Sequence, residues 1–266
     1  MKSHVILVVF DGCRPDGLAQ AHTPTLDTLW QTGTYTWTAR SVAPSYTLPT
    51  HTSMFRGVSP RAHGVNGNTF QASASAFPSI FDLAHQAGLH TAMFYSWEEL
   101  RDLAAPGSLN LSYFRAIRFT EDTDQVIAGV AASYLVTEQP HLAFVYFHAT
   151  DTIGHVSGWM SPPYLEAIED MDRALGILVA ALDQSGLRER FTLLVLADHG
   201  GHAHEHGTDQ DDDLTIPWLI NGPGIKRGHP TQAPVRIMDT AATIAHLLDL
   251  PRPESWEGQA VLDAFL

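Results

Sequence analysis

Five short runs dominated by valine, isoleucine, leucine, alanine and aromatic residues recur along the chain: Val5 to Phe10, Leu89 to Tyr95, Leu142 to Phe147, Phe191 to Ala197 and Ile216 to Ile220. Apolar runs this short suit strands buried on both faces, the condition of a parallel sheet covered by helices. The segments between them carry helical signals. Thr23-Pro24 reads as the cap and first turn of a helix through Trp30. Pro78 to Ala87 and Glu121 to Glu138 read as helices, as does Asp239 to Leu248. Over Pro163 to Gln184, Leu165, Ile168, Met171, Leu175, Leu178 and Leu182 share one helical face. Strands alternating with helices predict an α/β sandwich on a mostly parallel sheet with helices on both faces. No linker is long enough to separate independent domains, so one domain over 1–266 is expected, with room for a small cap within 69–140. Ala72 to Ala76, within QASASAFP, reads as a short flexible loop.

At 266 residues and 44% hydrophobic content, the chain buries a large core without covalent help. Cys13 is its one cysteine, which excludes an intrachain disulfide. The N-terminal apolar run is too short for a secretory or membrane-spanning segment, so a cytoplasmic location and no membrane partner are expected. A formal net charge of −14 repels polyanions and argues against bulk nucleic acid as a partner. Self-association into a homo-oligomer stays open. The 15 histidines, several beside aspartates, raise a different prospect. Divalent cations held among them would offset the local charge and attract a phosphate that the remaining surface repels.

Ligands of such sheets bind beyond the carboxyl ends of the strands. Acids and histidines collect at those ends: Asp11 after the first run, His148 and Asp151-Thr-Ile-Gly-His155 after the third, Asp198-His199 after the fourth. Asp151 and His155 are four residues apart, so one helical turn brings both side chains to one ion. The stretch HAHEHGTD adds His202, His204 and His206. Carboxylate and imidazole without thiolate suit zinc first, then manganese or iron, and two such ions can clamp a phosphate and activate a nucleophile. In SYTLPTH at 45–51, Pro49 fits the first turn of a helix through Phe55, with Thr47 at or just before its N-cap. Helix amides there favour an anion, and a hydroxyl facing a cation loses its proton more readily.

These residues resemble the alkaline phosphatase superfamily and, within it, the nucleotide pyrophosphatase/phosphodiesterase branch. The order of motifs is the same: FDG at Asp11, TLPTH at Thr47, DTIGH at Asp151, ADHG at Asp198 and EHG at His206. The likeness spans nearly the whole chain, including IMDTAATIAHLLDL, which is similar to the family's closing helix. It implies an alkaline-phosphatase-like three-layer sandwich with a minimal cap. It also implies a two-zinc phosphodiesterase or nucleotide pyrophosphatase acting on a small phosphate ester. One zinc would be held by Asp11, Thr47, Asp198 and His199, the other by Asp151, His155 and His206, with Thr47 as nucleophile. Asn68 stands where the family's asparagine binds a phosphoryl oxygen, and the preceding GVSPRAHG resembles the family's Gly-x-x-Pro-x-x-His-Gly. Two departures stand out. Thr50 replaces the usual asparagine, and six residues separate His199 from His206 where the branch commonly carries a long insertion.

Plainer readings stand beside these. Thr47 alone is a helix cap, Asp11-Gly12 alone a turn, and Asp211 to Asp213 a solvated run. His202 and His204 read as exposed or outer-layer groups, His51 and His63 as structural, and His148 as a neighbour of the metal ligands. Trp30 and Trp37 read as core, while Trp97, Tyr113 and Phe114 are candidates to stack on substrate and equally candidates for packing. The chain's two lysines, Lys2 and Lys226, lie away from every motif, which favours a singly charged diester. A phosphomonoesterase or phosphonate hydrolase, with Arg14 or Arg56 meeting the extra charge, is the rival enzyme. A sulfatase is disfavoured because threonine cannot become formylglycine, and a non-catalytic protein that binds phosphate compounds is the rival of another class.

Overall fold

The computed structural model describes residues 3–69, 71, 76–117 and 122–266. In chain order, β1 (His4–Phe10) leads through α1 (Pro15–Leu18) and α2 (Pro24–Gln31) to β2 (Thr34–Arg40), α3 (Thr47–Arg56), α4 (Pro60–His63) and α5 (Ile80–Gln86). Then come β3 (Thr91–Tyr95), β4 (Leu111–Phe114), α6 (Thr123–Glu138), β5 (Leu142–Phe147), α7 (Ala149–Ser157) and α8 (Pro162–Gln184). The chain continues through β6 (Phe191–Leu196), α9 (Asp211–Leu214), β7 (Thr215–Asn221), β8 (His229–Pro230) and α10 (Asp239–Leu247).

The strands form one eight-stranded sheet in the order β4-β3-β5-β1-β6-β7-β2-β8. Around α8 gather α1, α2, α6 and α7, and a second group joins α3 with α4, α5 and α10. The result is the expected α/β sandwich. Every residue of β1, β5 and β6 is buried, as strands covered by helices on both faces must be. These three are parallel neighbours, with Phe10 opposite Phe147 and Val9 opposite Leu196. Their carboxyl ends therefore leave the sheet side by side, and Asp11, His148 and Asp198 emerge at one place. Among the described residues only β7 breaks the parallel order, pairing antiparallel with both β6 and β2. Of the 69–140 span, α5, β3, β4 and α6 belong to the sandwich itself. Residues 72–75 of QASASAFP and Glu121 lie outside the described residues. Among the described residues no helix is long and apolar enough to cross a membrane.

Some local expectations are met by different means. Thr23 precedes α2 but makes no side-chain cap. Its place is taken by Asp172, buried in mid-α8, whose carboxylate accepts from Thr25 N (3.1 Å) and Leu26 N (2.8 Å). This ties the start of α2 to the long helix and satisfies two amides that a helix start leaves unpaired. The run Asp211 to Asp213 is a short helix rather than a loop, with Asp211 and Asp212 exposed as expected and Asp213 buried. Asp211 pairs with Arg40 (2.9 Å), Asp212 with Arg14 (2.9 Å), and buried Asp213 with His202 (2.7 Å). Trp30 and Trp37 are half-buried rather than core, packed edge to face with ring centroids 6.3 Å apart.

His63 is a structural histidine, fully buried at the end of α4. Val65 N–H donates to its Nδ1 (3.0 Å), and its Nε2 lies 3.0 Å from Ser53 Oγ. Because Nδ1 must accept, the ring is held neutral. Burial first, then the charge of Arg56, push its pKa from 6.5 down to about 4. The unfolded chain thus takes up the proton earlier. The neutral ring's contribution is complete above pH 6.5 and is lost as pH falls towards about 4, at most roughly 3 kcal/mol. Thermal melts of wild type and His63→Gln should show a stability gap that narrows over that window; a gap independent of pH would contradict the assignment.

Candidate metal centre and nucleophile

The three strand ends carry the site. Asp11 follows β1 directly, and its amide donates to Phe147 O at 2.9 Å. Gly12 then turns the chain with φ 68°, and a side chain there would meet Asp151 Cα at 3.1 Å. Glycine at this position lets the β1 turn lie against the start of α7, bringing Asp11 and Asp151 together. Asp151 and His155 share one face of α7, which is two and a half turns rather than a single one.

Two clusters result. Asp11, Asp198 and His199 form one and Asp151, His155 and His206 the other, with the ligand-capable atoms of each within 4.8 Å of one another. In the first, His199 Nε2 lies 3.1 Å from Asp11 Oδ1, 3.3 Å from Asp198 Oδ2 and 3.3 Å from Thr47 Oγ1. In the second, Asp151 Oδ1 lies 3.4 Å from His155 Nε2 and 3.5 Å from His206 Nε2. The His199 and His206 rings stack at 3.8 Å, so the clusters adjoin.

The tautomers decide what such clusters can hold. His155 Nδ1 faces His204 O (2.8 Å), His199 Nδ1 faces Gly200 O (2.7 Å) and His206 Nδ1 faces Ser45 O (2.9 Å). A carbonyl only accepts, so each Nδ1 carries the proton and, in the neutral ring, each Nε2 turns a lone pair towards a carboxylate. Asp11 Oδ1 and Asp151 Oδ1 are buried and have no hydrogen-bond partner among the described residues. Lone pairs facing buried carboxylate oxygens repel unless something positive stands between them. The titration behaviour carries the same demand. Burial first, then the charges of Asp198 and Asp151, hold the Asp11 carboxyl well above the usual carboxylate range. Burial would lower His199, but Asp198 and Asp11 outweigh it and raise that ring. Burial and the neighbouring His199 push His206 down to about 4, which keeps it unprotonated. A carboxylate and imidazole set in this state fits a divalent cation in each cluster, zinc by the chemistry of the donors, manganese or iron as other candidates.

Surrounding groups hold the cage in place. Asp198 accepts from Gly12 N (3.1 Å) and from Thr50 Oγ1 (3.2 Å), and the latter also reaches Thr47 O (2.8 Å). Thr50 therefore braces a cluster carboxylate against the Thr47 turn, where the resemblance left its role open. His51 Nδ1 lies 2.8 Å from Thr47 O and 3.4 Å from Asp198 Oδ2, so it buttresses the same turn. Tyr146 Oη donates to Asp11 Oδ2.

Thr47 is the first residue of α3, not its cap, and its side chain makes no capping bond. The hydroxyl faces the first cluster. Asn68 Oδ1 accepts from Leu48 N (3.0 Å), which fixes that amide so that its NH₂ is the group left for the site. A pocket of about 130 Å³ is lined by Thr47 and Asn68 on one side, Asp151, His155 and His206 on another, and by Trp97. The larger cavity, about 440 Å³ beside Trp30 and Trp37, contains none of these groups.

Of the aromatic candidates only Trp97 borders this pocket; Tyr113 packs on Phe94 and Phe114 on Tyr95. Arg14 is committed to Asp16, Asp212 and Gly201 O, and Arg56 to Phe77 O and Leu103 O, so neither lines it. His202 turns to Asp213 and His204 to His155 O (3.1 Å), which leaves His206 as the histidine of HAHEHGTD in a cluster. Sequence reasoning missed Tyr146, hidden in an apolar strand, and the partner of His148. Asp124, 24 residues away at the start of α6, lies 2.7 Å from His148 Nδ1.

Comparison with known proteins bears on the family and the fold. A family profile described as type I phosphodiesterase / nucleotide pyrophosphatase matches residues 5–217. Venom phosphodiesterase 2 of Crotalus adamanteus is 26% identical over 219 residues, covering 75% of this chain and 27% of the relative. Ectonucleotide pyrophosphatase/phosphodiesterase family member 3 of Mus musculus is 27% identical over 218 residues, covering 74% and 24%. The chain thus spans about a quarter of the length of these curated relatives. Among solved structures, murine ectonucleotide pyrophosphatase/phosphodiesterase 5, as an inactive threonine-to-alanine variant in complex with AMP, superposes with a TM-score of 0.84 at 17% identity, covering 100% of both chains. A 2-O GAG sulfatase superposes at 0.78 and 15% identity, covering 98% of this chain and 73% of its own. At these identities the two structures speak for the fold, which is alkaline-phosphatase-like.

Proposed function

Because the chain belongs to the type I phosphodiesterase / nucleotide pyrophosphatase family, we propose that it hydrolyses a small phosphodiester or pyrophosphate through Thr47, with a zinc ion in each cluster. The observation that carries this is the Thr47 hydroxyl, 3.3 Å from His199 Nε2 and facing the same pocket as the second cluster. Bound at Asp11, Asp198 and His199 and at Asp151, His155 and His206, the ions supply Lewis acidity, lowering the proton affinity of the hydroxyl and offsetting charge on the departing oxygen.

The chain's own groups do the rest. Thr47 Oγ1 gives up its proton to solvent and attacks phosphorus in line, an Oγ1–P bond forms, and the opposite P–O bond breaks with its electron pair leaving on the departing oxygen, which takes up a proton from solvent. The Asn68 NH₂ and the backbone amide of Thr47 meet the non-bridging oxygens as they gain charge. Water then attacks the phosphothreonine, and the P–Oγ1 bond breaks to release a phosphate monoester and restore the hydroxyl. His51 and Thr50 hold the Thr47 turn against Asp198 throughout. No lysine or arginine is among the described residues that line the pocket, so a diester suits it better than a monoester dianion. Turnover of bis-p-nitrophenyl phosphate should exceed that of p-nitrophenyl phosphate and of phosphonoacetate. A dead diester reaction beside fast monoester hydrolysis would overturn the preference.

A further inference from the structure

His148 is the basic side chain of the pocket that the two clusters leave unused. It precedes α7, is 8% exposed, and lines the pocket together with Thr47, Asn68 and Asp151. Asp124, 2% exposed in the first turn of α6, clamps it. Its carboxylate lies 2.7 Å from His148 Nδ1 and accepts from the amides of His148 (3.1 Å) and Ala149 (3.0 Å). Both carboxylate oxygens are occupied, so the ring cannot turn, and Nδ1–H is fixed on Asp124. The free edge of the imidazole is Nε2. Burial would lower the pKa of this histidine, but the charge and hydrogen bond of Asp124, followed by the charges of Asp151 and Asp122, raise it above the ordinary value. His148 is thus a ring whose protonated form Asp124 favours, in a chain of net charge −14, bordering a pocket whose other histidines, His155 and His206, belong to a cluster.

Its position along the reaction axis follows from the two clusters. Thr47 stands with Asp11, Asp198 and His199, so in-line displacement sends the departing oxygen towards the Asp151 side, and His148 sits three residues before Asp151 at the same strand-to-helix junction. We infer that the His148–Asp124 pair binds a negatively charged leaving group, and so selects substrates in which the departing oxygen belongs to a second phosphoryl group over simple diesters. This rests on the proposed hydrolase and adds to it the residue that reads the leaving group.

The test is a binding measurement that needs no turnover. Zinc-loaded Thr47→Ala protein is titrated calorimetrically with diphenyl phosphate (one charge), P1,P2-diphenyl pyrophosphate (one charge on each of two phosphoryl groups) and phenyl phosphate (two charges on one phosphorus). The pyrophosphate should bind more tightly than diphenyl phosphate. Adding His148→Gln should weaken the pyrophosphate about 10- to 100-fold more than diphenyl phosphate, as loss of a charge-assisted hydrogen bond requires. Asp124→Asn should act in the same direction with a smaller loss. Zinc content should match the parent in every variant. Equal losses on all ligands, a loss confined to phenyl phosphate, or a fall in zinc content in His148→Gln would each overturn the inference. Failure of all three ligands to bind the parent would remove the phosphate site and the inference with it.

Discussion

Replacing Thr47 by alanine is expected to lower kcat for bis-p-nitrophenyl phosphate by on the order of 10³-fold or more, while zinc content stays close to that of wild type. The expectation follows from the division of labour in the site. Six carboxylate and imidazole groups around Thr47 and across the pocket can hold cations without it, whereas the oxygen that attacks phosphorus has no substitute at the start of α3. Thr50 Oγ1 is the nearest hydroxyl in sequence on that helix face, and it is engaged with Tyr46 O (3.0 Å), Thr47 O and Asp198. Thr47→Ser keeps the oxygen and should retain most of the activity that alanine loses. Elemental analysis alongside steady-state kinetics separates the two roles. Activity in the alanine variant equal to wild type would remove the nucleophile assignment, and activity lost together with zinc would make Thr47 a structural ligand instead.

Stripping the metal should have the second largest effect, on stability as well as rate. Three carboxylates, the buried Asp11 and Asp198 and the half-buried Asp151, converge on imidazole nitrogens that carry no proton on the facing side when neutral. Without cations, part of that charge is unopposed, and the raised Asp11 carboxyl shows where the cost falls. Dialysis against a chelator should stop turnover and lower Tm by about 5–10 °C, the size expected when a ligand present at about a hundred times its Kd is lost. Two equivalents of zinc should restore both. Unchanged melting after chelation would mean that the clusters are satisfied by protons alone.

The strands that build the site were readable because they are buried on both faces: HVILVVF, LAFVYF and FTLLVL leave no other reading. Their acids and histidines were readable for the complementary reason, that a charged residue ending an apolar strand has few structural uses. β2 escaped because TYTWTAR is half-exposed near the sheet edge and has no apolar run; the alternation of Tyr35, Trp37 and Ala39 with threonines was the signal that marks it. The capping reading of Thr47 failed by one residue, since α3 begins at Thr47 and turns the hydroxyl towards His199 rather than onto its own backbone. Asp16, two residues on, is the one local partner of Arg14, and Arg56 has none nearby; the remaining partners Asp212, Gly201, Phe77 and Leu103 are distant along the chain, which is why both arginines looked available in sequence. The Asp124–His148 clamp was hidden in the same way, assembled by the packing of α6 beside β5.

The central claim is that two cations flank the Thr47 hydroxyl. Diffraction from zinc-loaded crystals at wavelengths on either side of the zinc absorption edge tests it directly. The account predicts two anomalous peaks, one bounded by Asp11, Asp198, His199 and Thr47 Oγ1 and the other by Asp151, His155 and His206. A single peak, or peaks remote from Thr47, would contradict it.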